Sequence, residues 1–344
     1  MNARPQAELR DLLDRVAQLR ILVVGDVMLD EYRVGEVTRI SPEAPVPIVR
    51  VREERHALGG AGNVARNLVS LGARVELVGT VGLDREGERV RTAAALLGLE
   101  TAGLVGTPGR PTTHKLRVVA RAQQMLRLDR EEESPLPTAV RGELEAAVLD
   151  RLPGCDAIVL ADYDKGVFAD GLGRTIVSAA RARRLFVAAD PKRELERFRG
   201  ASLVKPNLAE ACAAVGLPGD DFESRRRLLE KLRSELAGAE IVVTRGRDGA
   251  TVLGSDGCVV DVPTRPLAVF DVQGAGDTAM AALVSCRVAG ASLVEACSIA
   301  HAAAAVAVSK LGTAAVSRAE LEARLGQPSD AVGAVASSVA GEEA

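Results

Sequence analysis

The segment DVQGAGDTAMAALVSC, residues 271–286, sets Gly274, Ala275 and Gly276 directly before Asp277 and an alanine-rich helical run. Small residues let a backbone approach a ligand closely. Unpaired N–H groups at a helix start attract anions. Phosphoryl transfer requires donors of this kind, aimed at the transferring group, and a carboxylate beside the attacking hydroxyl. Asp277 stands where it would take that proton. The plainer alternative is a glycine-rich turn with an aspartate capping the helix.

A second glycine-rich helix start lies at GGAGNVARNLVSLG, residues 59–72. Gly59 and Gly60 expose backbone, Asn63 offers a donor and an acceptor, and Asp26 ends the first apolar run; polar groups of this kind suit sugar hydroxyls. The alternative is a tight strand–helix turn capped by asparagine. In KPNLAE, residues 205–210, Asn207 and Glu210 are three apart at a helix start. They suit either the water shell of Mg²⁺ or a capping box, and the two are compatible. TRGRDG, ADPKRE and ADYDKG add Arg245 and Arg247, Asp190 and Lys192, and Asp162, Asp164 and Lys165.

These residues share a position relative to the elements that carry them. Apolar, β-branched runs at 20–26, 75–79, 157–162, 185–190, 202–207 and 241–246 read as buried strands. Helical patterns at 60–71, 85–97, 138–151, 171–184 and 221–237 alternate with them. Strands alternating with helices predict a doubly wound α/β fold with a mostly parallel sheet. In such sheets the ligand crevice lies beyond the carboxyl ends of the strands, which is where Asp26, Asp162, Asp190, Asn207 and Gly246 fall. Residues 31–52 and 112–129 break the rhythm with alternating patterns and read as antiparallel or edge strands, either a small β lid or an ordinary hairpin.

Composition excludes other classes. A formal charge of -3 and a scarcity of aromatics, with no Trp, argue against nucleic-acid binding. Five cysteines without a CxxC pair argue against a disulfide framework or structural zinc. No apolar run reaches the ~18 residues of a membrane span, and the N-terminus lacks the pattern of a targeting signal, so a cytoplasmic protein is expected. GxGxxA spacing occurs at Gly60 and Gly274, but neither follows a buried first strand as a dinucleotide fingerprint requires, and a GxxxxGK[ST] loop is absent.

With these motifs in place, the chain resembles the PfkB or ribokinase-like carbohydrate kinases over roughly residues 10–325. GGAGN at 59–63 and DVQGAGD at 271–277 are similar to the two signatures of that family, and Asn207 with Glu210 to its NxxE element. GDVMLDEYRVGEVTRISPEAPVPIVRV, THKLRVVARAQQMLRLDRE, LADYDKG and KLGTAAVS are similar, more narrowly, to heptose 7-phosphate kinases.

The resemblance implies a ribokinase-like fold and ATP-dependent phosphorylation of D-glycero-β-D-manno-heptose 7-phosphate at its anomeric hydroxyl, toward ADP-heptose. It implies Asp277 as base, the N–H groups of Gly274, Ala275 and Gly276 as the anion hole, and Asn207 and Glu210 organising Mg²⁺ through water. Asn207, Leu208, Ala209, Glu210, Thr244, Gly246 and His301 would border ATP. Asp26, Asp30, Gly59, Gly60, Asn63, Lys115, Arg117 and Asp162 would hold the sugar phosphate.

A homodimer through the lid is expected, with one kinase domain over 1–326 and a disordered tail over 327–344. Gln273 departs from the threonine usual before GAGD. No HxGH-type nucleotidyltransferase motif follows, so a stand-alone kinase or a fragment is expected. The rival readings are a kinase of this family for another sugar, sugar phosphate or nucleoside, and a non-catalytic sugar- or nucleotide-binding regulator.

Overall fold

Apolar runs form the strands of the central sheet because both of their faces are covered. The computed structural model describes residues 6–121, 123–264, 271–310 and 312–326. In chain order the elements are α1 (Gln6–Val16), β1 (Arg20–Gly25), β2 (Val27–Ile40), β3 (Pro47–Gly60), α2 (Ala61–Ser70), β4 (Arg74–Gly82), α3 (Arg85–Leu96), β5 (Leu104–Thr107), β6 (Thr113–Ala120), β7 (Gln123–Arg130), α4 (Thr138–Arg151) and β8 (Ala157–Ala161). There follow α5 (Leu172–Ala182), β9 (Phe186–Asp190), β10 (Leu203–Val204), α6 (Leu208–Val215), α7 (Phe222–Glu235), β11 (Glu240–Thr244), β12 (Ala250–Leu253), β13 (Val259–Val262), α8 (Ala275–Val288), α9 (Leu293–Val308) and α10 (Arg318–Leu325). The six expected strands are β1, β4, β8, β9, β10 and β11. The five expected helices are α2, α3, α4, α5 and α7.

Nine strands form one sheet in the order β13-β12-β11-β10-β9-β8-β1-β4-β5. The strands from β5 to β11 run parallel, and β12 and β13 return antiparallel. The two-residue period of a strand divides its side chains between two cores. Ile21 and Val23 of β1, with Ala157 and Val159 of β8, pack in the core that also holds residues of α1, α2, α8 and α9. Leu22 and Val24, with Ile158 and Leu160, pack in the core that holds residues of α4, α5 and α7. β10 is short because Pro206 has no N–H to extend its ladder. The order reverses at β1, flanked by β4 and β8, and Asp26 and Asp162 follow the two neighbouring strands at this switch point.

The remaining strands form a separate sheet, β3-β2-β6-β7. The segments 31–52 and 112–129 therefore lie outside the main sheet as expected. Their pairing is mixed, however: β2 runs antiparallel to β3 and β6 to β7, but β2 and β6 are parallel. The strand β3 continues to Gly60, so the first glycine motif does follow a strand directly, although a lid strand and not one of the central sheet.

Cys155, Cys286 and Cys297 are buried, Cys212 is half-buried and Cys258 exposed, and none of the five is in a disulfide. Among the described residues no helix is long and apolar enough to cross a membrane, and none of their His, Cys, Asp and Glu side chains cluster in threes fit to hold a metal. The expected tail, 327–344, lies outside the described residues.

Candidate active site

Helix α8 is capped at its start by Gly274, whose φ of 72° is left-handed. A Cβ there would also stand 2.6 Å from Asn63 Nδ2, so glycine is required on both counts. This tight start delivers Asp277 into the first turn of α8, beside the dipole-positive helix end. The carboxylate is 8% exposed. Its Oδ2 accepts a hydrogen bond of 2.7 Å from Asn63 Nδ2, and its Oδ1 accepts one from the Tyr163 hydroxyl. Two glycine motifs over two hundred residues apart in sequence thus meet through Asn63 and Asp277. Burial pushes the Asp277 carboxyl up to about 6, against the lowering effect of the Tyr163 and Asn63 hydrogen bonds.

Asn63 is itself fixed. It is fully buried, and its carbonyl accepts from Asn67 Nδ2 at 2.9 Å, one turn along α2. Asn67 Oδ1 in turn accepts from the Thr278 hydroxyl at 3.1 Å, locking α2 to α8 beside Asp277. Gly59 and Gly60 lie against the start of β2: a Cβ on Gly59 would stand 2.5 Å from Asp30 Oδ2, and one on Gly60 2.3 Å from Asp26 O.

Asp26, 2% exposed, accepts backbone hydrogen bonds from Tyr163 at 2.7 Å, Lys165 at 3.3 Å and Val167 at 3.4 Å. It therefore shapes the 162–167 loop that carries Tyr163 to Asp277. Burial raises its pKa against those bonds. Asp162 follows the adjacent strand. Burial and the Asp26 charge push it up to about 7. Its Oδ1 accepts from Asp164 N at 2.8 Å, and Arg197 Nη1 stands 3.9 Å from Oδ2.

On the lid, Asp30 and Arg117 form a buried ion pair of 2.6 Å, with the guanidinium 5.4 Å from the Tyr32 ring centre. Burial raises Asp30, and Arg117 opposes it. Lys115, which the resemblance places at the sugar phosphate, is engaged by carboxylates. The hairpin register sets it opposite Asp129, and it pairs with Asp129 at 3.3 Å and Glu131 at 3.0 Å.

At the other end of the crevice, Asn207 and Glu210 form a reciprocal capping box at the start of α6. Glu210 Oε2 accepts from Asn207 N at 2.8 Å and Oε1 from Lys192 Nζ at 2.8 Å. Each carboxylate oxygen accepts one hydrogen bond and keeps a lone pair, so this donor set fits the water shell of Mg²⁺. Leu208 and Ala209 are the first two residues of that helix. Thr244 bridges Asn207 where β11 ends, and Gly246, with φ 59°, opens the turn that follows. His301 lies on α9 with Nε2 3.8 Å from Cys297 Sγ, and burial pushes its pKa down.

Three features carried no spacing signal in the sequence. Tyr163 sits between two aspartates that drew attention away from it. Lys205, 4% exposed, pairs with Asp190 at 2.9 Å; the pair lies close enough to Asp277 for both charges to act on it. Arg66 lies one turn after Asn63 on α2, in a position that reads as ordinary helix surface.

Comparison with known proteins accords with this geometry. The pfkB family carbohydrate kinase profile matches residues 18–320. The chain is 46% identical over 309 residues to a D-beta-D-heptose 7-phosphate kinase of Bordetella bronchiseptica, covering 90% of this chain and 96% of that protein. It is 40% identical to a bifunctional protein HldE of Rhodospirillum rubrum, covering 94% of this chain and 65% of that one. The chain thus spans just under two thirds of the length of such bifunctional relatives. In fold it is similar to phosphofructokinase-2 from Escherichia coli, with a TM-score of 0.75 and 22% identity, covering 90% of this chain and 100% of that one. It is also similar to Arabidopsis thaliana ribokinase complexed with ribose and ATP, with a TM-score of 0.69 and 20% identity over 90% and 100% of the two chains. The ribokinase-like architecture, the paired glycine motifs that meet at one buried carboxylate, and the matched span lead to one assignment: this chain belongs to the pfkB family of carbohydrate kinases.

Proposed function

We propose that the chain transfers the γ-phosphoryl group of ATP to the anomeric hydroxyl of D-glycero-β-D-manno-heptose 7-phosphate, giving the 1,7-bisphosphate. The observation that carries the reaction type is Asp277, a buried carboxylate in the first turn of α8 with a pKa raised to about 6. A base with that pKa is ionised at neutral pH yet retains affinity for a proton, as general base catalysis requires. Asp277 takes the proton of the sugar hydroxyl as its oxygen attacks phosphorus. The first-turn N–H groups at Gly274, Ala275 and Gly276 face charge that develops on the transferring group. Asn207 and Glu210 hold the water shell of Mg²⁺, which when bound neutralises phosphate charge. Thr244, Gly246 and His301 border the nucleotide.

Asp30, Asn63, Gly59 and Gly60 face the sugar beneath the lid. The heptose acceptor rests on the identity to the Bordetella protein. A homodimer through the lid is part of the same reading: Leu126 and Leu128, two apart on the edge strand β7, are more than half exposed, an apolar edge that a second copy would cover. We place the reaction in the cytoplasm, where ATP is supplied. Steady-state ADP release with a panel of acceptors tests the proposal. The heptose 7-phosphate is expected to have the highest kcat/KM; an equal or higher value for ribose or fructose 6-phosphate would remove the heptose assignment.

A further inference from the structure

A cleft of about 200 Å³ opens between the lid and α2, lined by Tyr32, Val34 and Arg55 of the lid hairpin, Val119 of β6, Arg66 of α2 and Thr313. It is several times the ~30 Å³ that a water molecule occupies, enough for a phosphate and the end of a sugar. The cations around it differ in their pairing. Arg55 is held bidentate by Glu53 at 2.5 and 2.8 Å. His56 faces Glu31 at 3.6 Å, which Arg33, Arg89 and His114 also contact. Lys115 is taken by Asp129 and Glu131, and Arg117 by Asp30. Arg66 has no carboxylate within ion-pair distance among the described residues. One of its Nη atoms donates to the Thr313 carbonyl, and its buried Nε–H has no acceptor among the described residues.

A buried guanidinium N–H without an acceptor costs stability unless a ligand supplies one. A second such donor, the Nε–H of Arg117, lies on the other strand beside Tyr32. The Tyr32 hydroxyl joins the cleft to the base's own loop, donating to Gln273 at 2.8 Å and accepting from Thr313 N at 3.1 Å. Arg66 is also near enough to Asp30 and Asp277 for their charges to act on it. The cleft is therefore on the acceptor side of Asp277, lined mostly by lid residues, with a guanidinium that no carboxylate among the described residues pairs.

We propose that Arg66 is the residue that holds the phosphate the acceptor already carries, and so makes the enzyme select phosphorylated over unphosphorylated sugars. The inference rests on the reading that the acceptor is a sugar phosphate, and replaces Lys115, which its carboxylates already occupy.

The test measures kcat/KM for acceptor pairs that differ only in the distal phosphate: heptose 7-phosphate with heptose, and fructose 6-phosphate with fructose. The wild type is expected to favour the phosphorylated member. Arg66→Gln, which retains a donor toward Thr313, is expected to lose about ten- to hundredfold on the phosphorylated member, the worth of a charge-assisted contact, chiefly through KM. It should leave the unphosphorylated member and the KM for ATP unchanged, and Arg66→Lys should recover part of the loss. A wild type with no preference for phosphate, or a variant that keeps the preference or slows both members equally, would overturn the proposal. A wild type that favours the hexose phosphate over the heptose phosphate, with the preference for phosphate still lost in Arg66→Gln, would remove the heptose assignment and leave Arg66 in place.

Discussion

Replacing Asp277 with asparagine should inactivate the enzyme and stabilise it at the same time. The side chain keeps its size, and an amide can still be satisfied: its oxygen accepts from Asn63 Nδ2, and its NH₂ donates to the Tyr163 hydroxyl, which serves as donor or acceptor. What is lost is the base, so kcat should fall by about two to four orders of magnitude. What is gained follows from linkage. Asp277 has a folded pKa of about 6 against an ordinary value of 3.8. The folded state thus binds the proton more tightly than the unfolded state. Below pH 3.8 both states are protonated and the group is neutral to stability. As pH rises through the window from 3.8 to about 6, the unfolded state ionises first and stability is lost.

Above that window the penalty is full. A shift of about 2 pKa units at 1.36 kcal/mol each gives about 3 kcal/mol at pH 8, and about half of that at pH 5. With an unfolding entropy of about 2 cal/mol/K per residue, 3 kcal/mol raises Tm by roughly 4 °C in a chain of this size. Thermal melts of the ligand-free proteins from pH 4 to pH 8, paired with ADP-release rates, supply both readings. The variant should melt higher than the wild type at pH 8, with the gap closing toward pH 4. Near-normal turnover would refute Asp277 as the base. A Tm difference independent of pH would refute the buried, raised carboxyl.

Other perturbations follow from the same contacts. Tyr163→Phe removes a hydrogen bond that favours the ionised base, so the acid limb of the pH–rate profile should move to higher pH and activity should fall more at pH 6 than at pH 8; an unmoved limb would sever Tyr163 from the base. Glu210→Ala breaks the capping box and the Lys192 contact; about 1 kcal/mol of stability should be lost and the KM for Mg-ATP should rise more than that for the sugar, which steady-state kinetics with each substrate varied would show. Arg117→Ala strands the Asp30 carboxylate in a buried site, so denaturation should report a loss of about 3–5 kcal/mol, and the sugar KM should rise more than the ATP KM.

Much of the architecture was legible because the strands are buried on both faces. RILVVG, AIVLA and EIVVT carry apolar side chains at every position that either core touches, and no helix of that length would. The lid was legible only as an exception to that pattern. Its parallel β2–β6 contact joins segments more than seventy residues apart, and nothing local to either strand encodes that direction. In the site, Asp277 and Asn63 stood out because each follows small residues that only a close approach explains. Asn207 and Glu210 fit two readings, and the structure shows the cap directly while leaving the water-mediated role compatible with it. The carboxylate partners of Lys115 were not legible along its own strand, because they depend on the register of the next one. Tyr163, Lys205 and Arg66 acquire meaning only from three-dimensional neighbours: Asp277, Asp190 and the cleft beneath the lid.

The central claim concerns where the phosphoryl group goes. ³¹P NMR of the product formed from D-glycero-β-D-manno-heptose 7-phosphate, ATP and Mg²⁺ tests it directly. The account predicts a second sugar phosphorus signal coupled to the anomeric proton, appearing as ATP is converted to ADP and absent with Asp277→Asn. A phosphoryl group on any other hydroxyl, or ADP formed with no new sugar phosphate, would contradict it.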